Sequence, residues 1–275
     1  MTQIPRAAVL GNPIKHSLSP KLHSYWLKRY GLRGEYNALQ VTEDVLDATL
    51  RRLPGEGYIG ANVTLPHKVS VMQLADQVTD RATLIGAANT LIFKEDGRIF
   101  ADNTDGYGFL ANLRQGAPDW DPKAGPAAIF GAGGAARAVI VALAEAGVPE
   151  ILLSNRTRPK AEALKADFGA RIQVVDWVQA PSMLKEACTV VNTTSLGMSG
   201  AQEFKVSLAA LRPDAVVTDI VYNPLETEFL KQAAAKGCRT VDGLGMLLHQ
   251  GVPGFERWFG KRPEVDDDTR RAVLS

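Results

Sequence analysis

A glycine-rich segment between a predicted strand and a predicted helix has the residues to bind a phosphate-bearing cofactor. Residues 128–136 read Ala-Ile-Phe-Gly-Ala-Gly-Gly-Ala-Ala, so an apolar strand leads directly into Gly131, Gly133 and Gly134. Such glycines allow a tight turn and let a pyrophosphate approach the backbone N–H groups at the start of the next helix. Ala136 provides the small side chain that close packing of helix on strand requires. The segment therefore predicts a dinucleotide-binding turn.

The residues after the next predicted strand indicate which dinucleotide would bind. A site for NAD usually has Asp or Glu about 20 residues beyond the glycines, where the carboxylate binds the ribose 2′-hydroxyl. This chain has Asn155 and Arg156 at that place. A guanidinium pairs with a 2′-phosphate through two parallel hydrogen bonds, whereas a carboxylate would repel it. We therefore expect the cofactor to be NADP(H).

Four short polar segments in the first half of the chain lie beside predicted strands, where doubly wound sheets bind their ligands. They are His16–Pro20, Asn62–Lys68, Gly86–Thr90 and Ala101–Gly106. Taken singly, some residues have structural explanations: Ser19 before Pro20 is a suitable helix N-cap, and Asp105 can cap the helix that follows it. Lys68 is expected in the first turn of a helix that begins at Pro66, which is the unfavourable end of the helix dipole for a cation. Together, the four segments predict a ligand site.

The elements that must position these residues alternate between strands and helices. In the first half, the pattern predicts strands at residues 7–10, 36–41, 58–65, 90–93 and 98–101, and helices at 20–30, 44–53, 67–75 and 106–114. In the second half, it predicts strands at 127–130, 151–154, 171–175, 189–191, 215–218 and 239–241, and helices at 135–146, 226–236 and 244–259. This alternation is typical of an α/β fold with largely parallel sheets and helices on both faces.

Composition excludes several other classes of protein. The 275 residues, 45% of them hydrophobic, suffice for one large domain or two of ordinary size. A net charge of +1 gives no indication of a nucleic-acid or membrane partner. The two cysteines, Cys188 and Cys238, are far apart and the four histidines lack metal-ligand spacing, so we expect neither a disulfide framework nor a metal site. Without a secretory signal or a membrane-spanning stretch, we expect a cytoplasmic protein.

Read in order, the motifs resemble those of the shikimate dehydrogenase family from residue 11 to residue 250. The matching segments are Gly11–Pro13, His16–Pro20, Gly60–Thr64 with Pro66 and Lys68, Ala88–Thr90, Asp102–Gly106, Gly131–Ala136, Asn155–Thr157, Asn192–Ser195 with Gly197 and Met198, Asp219–Thr227, and Asp242–Leu247 with Gln250. We expect an N-terminal α/β substrate-binding catalytic domain over residues 1–106 with a mostly parallel sheet, and a C-terminal Rossmann (doubly wound) NADP-binding domain over 107–242. Periodicity does not decide where the tail packs, but the resemblance implies that residues 243–275 pack back on the first domain.

The resemblance implies the reversible, NADPH-dependent reduction of 3-dehydroshikimate to shikimate, a step of chorismate and aromatic amino acid biosynthesis. Lys68 and Asp105 match the catalytic pair of the family. Hydride transfer to a ketone carbon turns the ketone oxygen into an alkoxide, so a cation beside that oxygen stabilises the developing charge and can supply the proton. Lys68 suits both tasks, and Asp105 would orient its ammonium group and bond a neighbouring hydroxyl.

The resemblance also implies ligand contacts for further residues. The substrate carboxylate and ring hydroxyls would be bound by Ser17, Ser19, Asn62, Thr64, Asn89, Tyr222 and Gln250. The cofactor would be bound by Gly131, Ala132, Gly133, Gly134, Ala135, Asn155, Arg156, Thr157, Lys160, Thr193, Ser195, Gly243 and Met246. Either Arg158 or Lys160 could support Arg156, and the sequence does not separate them. His67 stands where many relatives carry an aromatic residue, and we expect it to pack inside the protein.

Other interpretations fit parts of the pattern. An NAD-dependent quinate/shikimate dehydrogenase would differ by one substrate hydroxyl and by the cofactor, and both the paired serines and Arg156 favour shikimate with NADP. A methylenetetrahydrofolate dehydrogenase would lack the paired serines. A non-catalytic NADP(H) sensor would keep the glycine turn but would not need the Lys68–Asp105 pair. The expected partner is therefore a small molecule, shikimate or 3-dehydroshikimate, bound by a monomer or homodimer.

Overall fold

The computed structural model describes residues 4–275, which fall into two units. The first unit contains the described residues up to Gly108 together with Leu247–Ser275, and the second contains Phe109–Met246. Both boundaries lie a few residues beyond the expected positions 106 and 242, and each falls inside a helix. The expectation about a secretory signal concerns in part residues 1–3, which lie outside the described residues.

The observed elements follow the predicted alternation closely. The strands are β1 (Arg6–Gly11), β2 (Glu35–Gln40), β3 (Tyr58–Val63), β4 (Gln77–Val78), β5 (Thr90–Phe93), β6 (Ile99–Asp102), β7 (Ala127–Phe130), β8 (Ile151–Ser154), β9 (Ile172–Val175), β10 (Thr189–Asn192), β11 (Val216–Asp219) and β12 (Arg239–Val241). The α-helices are α1 (Ser19–Arg29), α2 (Leu46–Arg52), α3 (Val71–Leu74), α4 (Asp80–Ile85), α5 (Asp105–Gly116), α6 (Gly134–Ala146), α7 (Arg158–Phe168), α8 (Glu228–Ala235), α9 (Leu244–Phe259) and α10 (Asp267–Leu274). Short 3₁₀ segments lie at Glu43–Val45, Leu53–Glu56 and Trp177–Lys185.

The sheet of the first unit has the strand order β2-β1-β3-β5-β6-β4. β1 pairs in parallel with β2 and β3, and β4 with β6, whereas β5 runs antiparallel to both β3 and β6. The β5–β6 pair is the hairpin that Asp96-Gly97 predicts. The sheet is therefore mixed rather than uniformly parallel. Alternate residues of β1 enter different apolar clusters, which shows that both faces are covered.

The sheet of the second unit is entirely parallel, in the order β12-β11-β10-β7-β8-β9. Ala127 and Ile129 of β7 pack in one apolar cluster, and Ala128 and Phe130 pack in another. The direction of winding reverses between β7 and β10, and doubly wound folds bind ligands beyond the strands at that point. This is the Rossmann architecture that the glycine motif predicts.

The helix predicted over residues 67–75 is much shorter than expected. The chain forms a turn over residues 65–70, and α3 begins only at Val71. His67 is fully buried, as expected, and its Nε2 lies 2.6 Å from the carbonyl oxygen of Val41. This anchored side chain holds the backbone in a turn. Lys68 therefore lies in this turn, before α3 begins, and not in the first turn of a helix.

The N-cap interpretation of Ser19 is wrong. Ser19 is the first residue of α1, and Leu18 occupies the N-cap position without a side-chain capping bond. The Ser17 hydroxyl instead accepts a 3.3 Å hydrogen bond from the backbone N–H of Ser19. The Ser19 hydroxyl is consequently free of the capping task that the sequence suggested.

The C-terminal segment packs within the first unit. Helix α9 continues through Pro253-Gly254, and a Cβ on Gly254 would lie only 2.9 Å from the Trp258 ring. The Trp258 indole N–H donates to the carbonyl of Leu91 in β5 at 3.0 Å. Asp266 caps α10 by accepting from the Thr269 N–H and pairs with Arg29 of α1 at 2.7 Å. That guanidinium holds the pKa of the Asp266 carboxyl well below its usual range.

Candidate active site

Lys68 and Asp105 form a close ion pair in the first unit. Lys68 Nζ lies 2.5 Å from Asp105 Oδ2, and the two side chains are 22% and 8% exposed. Lys68 comes from the turn after β3, whereas Asp105 is the first residue of α5, where the helix dipole favours a carboxylate. The result is a partly accessible ammonium group held by a buried carboxylate. Such a group can donate a proton beside a developing oxyanion.

Asn89 connects this ion pair with helix α9. Its Nδ2 donates to Asp105 Oδ1 at 2.8 Å and to Gln250 Oε1 at 3.2 Å. Its Oδ1 accepts from the Thr104 backbone N–H at 2.8 Å, and the Thr104 hydroxyl donates to the Gln250 carbonyl at 2.9 Å. Because Asn89, Asp105 and Gln250 are all buried, these bonds fix the polar groups in advance of any ligand.

Sequence reasoning assigned no role to Asp102, although its carboxylate anchors the segment before Asp105. Asp102 is fully buried and accepts from Arg81 at 2.7 Å, and Arg257 Nη1 lies 3.4 Å away. It also accepts from the Asn103 N–H at 2.7 Å, and Asn103 Oδ1 accepts from the Asp105 N–H at 3.0 Å. This chain of bonds fixes the start of α5. No local pattern could have revealed it, since both arginines lie far from Asp102 in sequence.

The predicted substrate residues of the first unit lie at one edge of its sheet. Ser17 and Ser19 follow β1, while Asn62 and Thr64 lie at the end of its parallel neighbour β3. Asn62 pairs with Thr90 of β5 in the register of the sheet, which places Asn89 at the same edge. Ser19 and Asn62 are buried, whereas Ser17 and Thr64 are partly exposed.

Tyr222 belongs to the second unit, in the segment after β11, where burial raises the pKa of its phenol. The start of this segment is held by Asp219, whose carboxylate accepts from the Val221 N–H and Asn192 Nδ2, each at 2.9 Å. The Thr227 hydroxyl donates to the second oxygen at 2.7 Å. Burial without a cation raises the pKa of Asp219 to about 6, although these hydrogen bonds oppose the rise.

The glycine turn leads from β7 into α6, which begins at Gly134. Gly131 has φ = +110°, and a Cβ there would lie 2.6 Å from Thr193 Oγ1, so any larger residue is excluded. Gly133 and Gly134 are exposed, and no atom lies within 4 Å of a Cβ built on either. The open space beside the unpaired N–H groups of the first turn of α6 fits a pyrophosphate. The partly exposed Ala132 and Ala135 flank these positions.

Arg156 and its cationic neighbours differ in the hydrogen bonds and ion pairs that they form with other side chains. Arg156 is exposed, and its Nη1 donates to Gln202 Oε1 at 3.0 Å. Arg158 pairs with Glu162 at 2.7 Å and with Asp176 at 2.6 Å, so two carboxylates neutralise it. No described residue pairs with the Lys160 ammonium group. The structure thus favours Lys160 over Arg158 as the second cation available to a phosphate.

The other predicted cofactor residues occupy varied positions in the second unit. Asn155 Oδ1 accepts from the Ala132 N–H at 3.1 Å, and its Nδ2 donates to the Thr157 carbonyl at 2.8 Å, which ties the strand end to the glycine turn. A Cβ on Gly243 would lie 2.4 Å from the Ile220 carbonyl oxygen, so close packing requires this glycine. The remaining predicted residues are exposed Ser195 and half-buried Met246.

Within residues 4–275, no cluster of three or more His, Cys, Asp or Glu side chains is arranged to hold a metal ion. Among the helices in the described part of the chain, none is long and apolar enough to cross a membrane.

The fold and these two groups of residues define a two-unit α/β protein of the dinucleotide-dependent dehydrogenase class. Comparison with known families agrees along the chain. Residues 9–91 match the shikimate dehydrogenase substrate binding domain, residues 120–220 match shikimate / quinate 5-dehydrogenase, and residues 243–274 match the shikimate 5′-dehydrogenase C-terminal domain.

Individual proteins are similar over nearly their full length. A shikimate dehydrogenase (NADP(+)) of Cereibacter sphaeroides is 66% identical over 99% of this chain and 98% of its own length. A shikimate 5-dehydrogenase of Thermus thermophilus, solved with NADP(H) and shikimate, is 38% identical with a TM-score of 0.88 and 98% coverage of both chains. A quinate dehydrogenase of Corynebacterium glutamicum, solved with NAD, is 30% identical with a TM-score of 0.91 and the same coverage. The chain therefore belongs to the shikimate dehydrogenase family, which confirms the resemblance that its motifs indicated.

Proposed function

We propose that this protein catalyses the reversible, NADPH-dependent reduction of 3-dehydroshikimate to shikimate, in the pathway to chorismate and the aromatic amino acids. The observation that carries the proposal is the Lys68–Asp105 pair, held at 2.5 Å beside a buried cluster of amide and hydroxyl groups. The 66% identity to a relative named for this activity supports the same conclusion.

When bound, NADPH supplies the hydride that reduces the ketone carbon. The task left to the protein is to stabilise the oxygen that becomes negatively charged and to deliver one proton to it. The Lys68 ammonium group does both, and in the reverse direction the neutral amine accepts the proton from the shikimate hydroxyl. Asp105 holds Lys68 through one oxygen and is itself fixed by Asn89 through the other.

The remaining polar groups would bind and orient the substrate. The Ser17 and Ser19 hydroxyls donate to its carboxylate with help from Tyr222, whereas Asn62, Thr64, Asn89 and Gln250 bond its ring hydroxyls. In this proposal the first unit is the substrate-binding catalytic domain. Rigid, satisfied amides suit this task because they keep their geometry when the substrate replaces water.

The second unit would be the NADP-binding domain. Its glycine turn, Gly131–Ala135, holds the pyrophosphate, and Arg156 with Lys160 binds the 2′-phosphate beside Asn155 and Thr157. Further cofactor contacts come from Thr193, Ser195, Gly243 and Met246. A cytoplasmic location and a monomeric or homodimeric state belong to the same proposal, and cell fractionation and analytical sedimentation would test them.

A second candidate is the oxidation of quinate with NAD. The quinate dehydrogenase of Corynebacterium glutamicum has the same fold with a TM-score of 0.91, so the architecture accommodates that substrate. Arg156 argues against this candidate, because an NAD site usually has a carboxylate there.

The decisive experiment measures initial rates of cofactor reduction with purified protein, using shikimate or quinate, each with NADP or NAD. Activity confined to shikimate with NADP is the expected result. Comparable activity on quinate with NAD would favour the second candidate. Binding of NADPH without turnover of either acid would contradict both and favour a sensor.

A further inference from the structure

Tyr36 lies next to two of the residues to which we assign substrate contacts. It belongs to β2, and its side chain is buried. Its hydroxyl donates to Asn62 Oδ1 at 2.6 Å, and the nearby Ser19 side chain opposes the rise that burial causes in the pKa of Tyr36. Neither periodicity nor a motif distinguishes this tyrosine in the sequence, because aromatic residues are common in strands.

The ring of Tyr36 is fixed by an aromatic cluster. It stacks on His23 with centroids 3.9 Å apart and an angle of 4° between the planes, and His23 also contacts Trp26, Phe255 and Trp258. His23 is fully buried, and within residues 4–275 neither of its ring nitrogens has a hydrogen-bond partner. Burial lowers the pKa of His23 to about 3, so the stacking surface is a neutral ring at physiological pH.

A count of protons gives the direction of each hydrogen bond. A tyrosine hydroxyl carries one proton, which Tyr36 donates to Asn62 Oδ1. With Oδ1 directed at Tyr36, the Asn62 amide nitrogen donates to the Asn89 carbonyl at 3.1 Å and to Thr90 Oγ1 at 3.3 Å. Because the Asn89 carbonyl can only accept, it requires the Asn62 nitrogen on its side, and Tyr36 holds the Oδ1 atom that then faces it.

We propose that Tyr36 is a positioning residue of the substrate site, an inference that rests on the function proposed above. Its hydroxyl holds the Asn62 amide in the orientation that the Asn89 carbonyl requires. Without that bond the buried Asn62 oxygen would lose a donor, which is costly.

The variant Tyr36→Phe tests this inference because it removes only the hydroxyl. We expect the KM for shikimate to rise about tenfold, which corresponds to about 1.4 kcal/mol, with the KM for NADP changed less than twofold. Tyr58→Phe is the matched control, because Tyr58 is also a buried tyrosine of the same sheet and its hydroxyl accepts a 3.3 Å bond from Asn37, which has no proposed ligand contact. An equal effect of both substitutions on the shikimate KM would overturn the inference.

Two further measurements separate positioning from general destabilisation. The shikimate-induced rise in melting temperature, measured without cofactor, should be reduced in Tyr36→Phe and unchanged in Tyr58→Phe. Combined with Asn62→Ala, the Tyr36→Phe substitution should add little, since it acts largely through that amide. If the effects of the two substitutions on the shikimate KM added fully, Tyr36 would not act through Asn62. If wild-type protein neither binds nor oxidises shikimate, the proposed function itself fails, and that outcome is visible before any variant is made.

Discussion

The two units differ in how far their candidate ligand-binding groups are buried. In the first unit, Asn89 bonds to both Asp105 and Gln250, and all three are buried. In the second unit, Gly133, Gly134 and Arg156 are exposed. The first arrangement suits a small polar substrate, because fixed donors and acceptors distinguish its hydroxyls and stabilise the charge that forms on one oxygen. The second suits a long anionic cofactor, because bare backbone and a flexible cation can follow its phosphates. The chemistry should therefore be sensitive to side chains in the first unit, and cofactor choice to charge in the second.

The largest expected effect is on turnover, in the first unit. Lys68→Ala should lower kcat about a thousandfold, because it removes both the proton donor and the charge beside the developing oxyanion. Steady-state kinetics and fluorescence titration of NADPH check this, and the dissociation constant of NADPH should stay within a factor of two. Lys28→Ala, at an exposed lysine of α1, is the control and should change neither quantity. Near-normal turnover in Lys68→Ala would remove Lys68 from the chemistry.

The next effect is on cofactor choice, in the second unit. Arg156→Asp should shift the ratio of kcat/KM for NADP to that for NAD about a hundredfold towards NAD, since a carboxylate repels the 2′-phosphate that the guanidinium binds. Arg158→Ala is the matched control and should have little effect, because Glu162 and Asp176 already neutralise that arginine. A variant that kept its full preference for NADP would place the phosphate site elsewhere.

Substitutions of two glycines in the same turn should separate effects on stability from effects on NADPH binding. Gly133→Ala should leave the melting temperature unchanged but weaken NADPH binding about tenfold, because its Cβ would meet no protein atom and would enter the space assigned to the pyrophosphate. Gly131→Ala should lower the free energy of unfolding by about 1–3 kcal/mol as well, since φ = +110° and the contact with Thr193 both disfavour a side chain. Calorimetry and NADPH titration of both variants provide the test. Equal destabilisation by the two substitutions would show that the turn is constrained throughout.

The smallest expected net effect is on the pH dependence of stability. Two buried groups contribute to it, and their protonation changes stability in opposite directions. The pKa of His23 is about 3 in the folded chain and about 6.5 when unfolded, so its stabilising contribution is present above pH 6.5 and is lost as the pH falls. The pKa of Asp219 is raised from 3.8 to about 6, so its contribution is greatest below pH 4 and is lost as the pH rises. Each slope is at most about 1.4 kcal/mol per pH unit.

Hydrogen exchange of the two units between pH 4 and pH 6.5 would measure these slopes separately. Acid should lower protection in the first unit and raise it in the second. His23→Phe should weaken the first trend, and the remainder should come from His249, whose pKa burial lowers to about 4. Asp219→Asn should remove the second trend. If acid changed the protection of both units in the same direction, the opposite effects predicted for His23 and Asp219 would be contradicted.

The sequence predicted most of the fold, and two local patterns in it were misleading. Pro66 and the residues after it are typical of a helix start, yet the buried contact of His67 with Val41 keeps residues 65–70 in a turn. Ser19 before Pro20 is typical of an N-cap, yet that position belongs to Leu18. The first outcome involves a neighbour in space, whereas the second involves Ser17, two residues away in sequence.

By itself, the sequence determined most of the elements, the glycine turn, the absence of an acidic residue at Asn155-Arg156 and the family motifs, because these depend on short spacings. It did not reveal β4, α4 or α7. Only the tertiary structure decided that Asp102 holds the segment before Asp105, that Arg158 is already neutralised while Lys160 is not, and that Tyr36 orients Asn62. Each of these contacts joins different elements. Their physical origin is the requirement that buried polar groups find partners, and folding alone brings those partners within hydrogen-bonding distance.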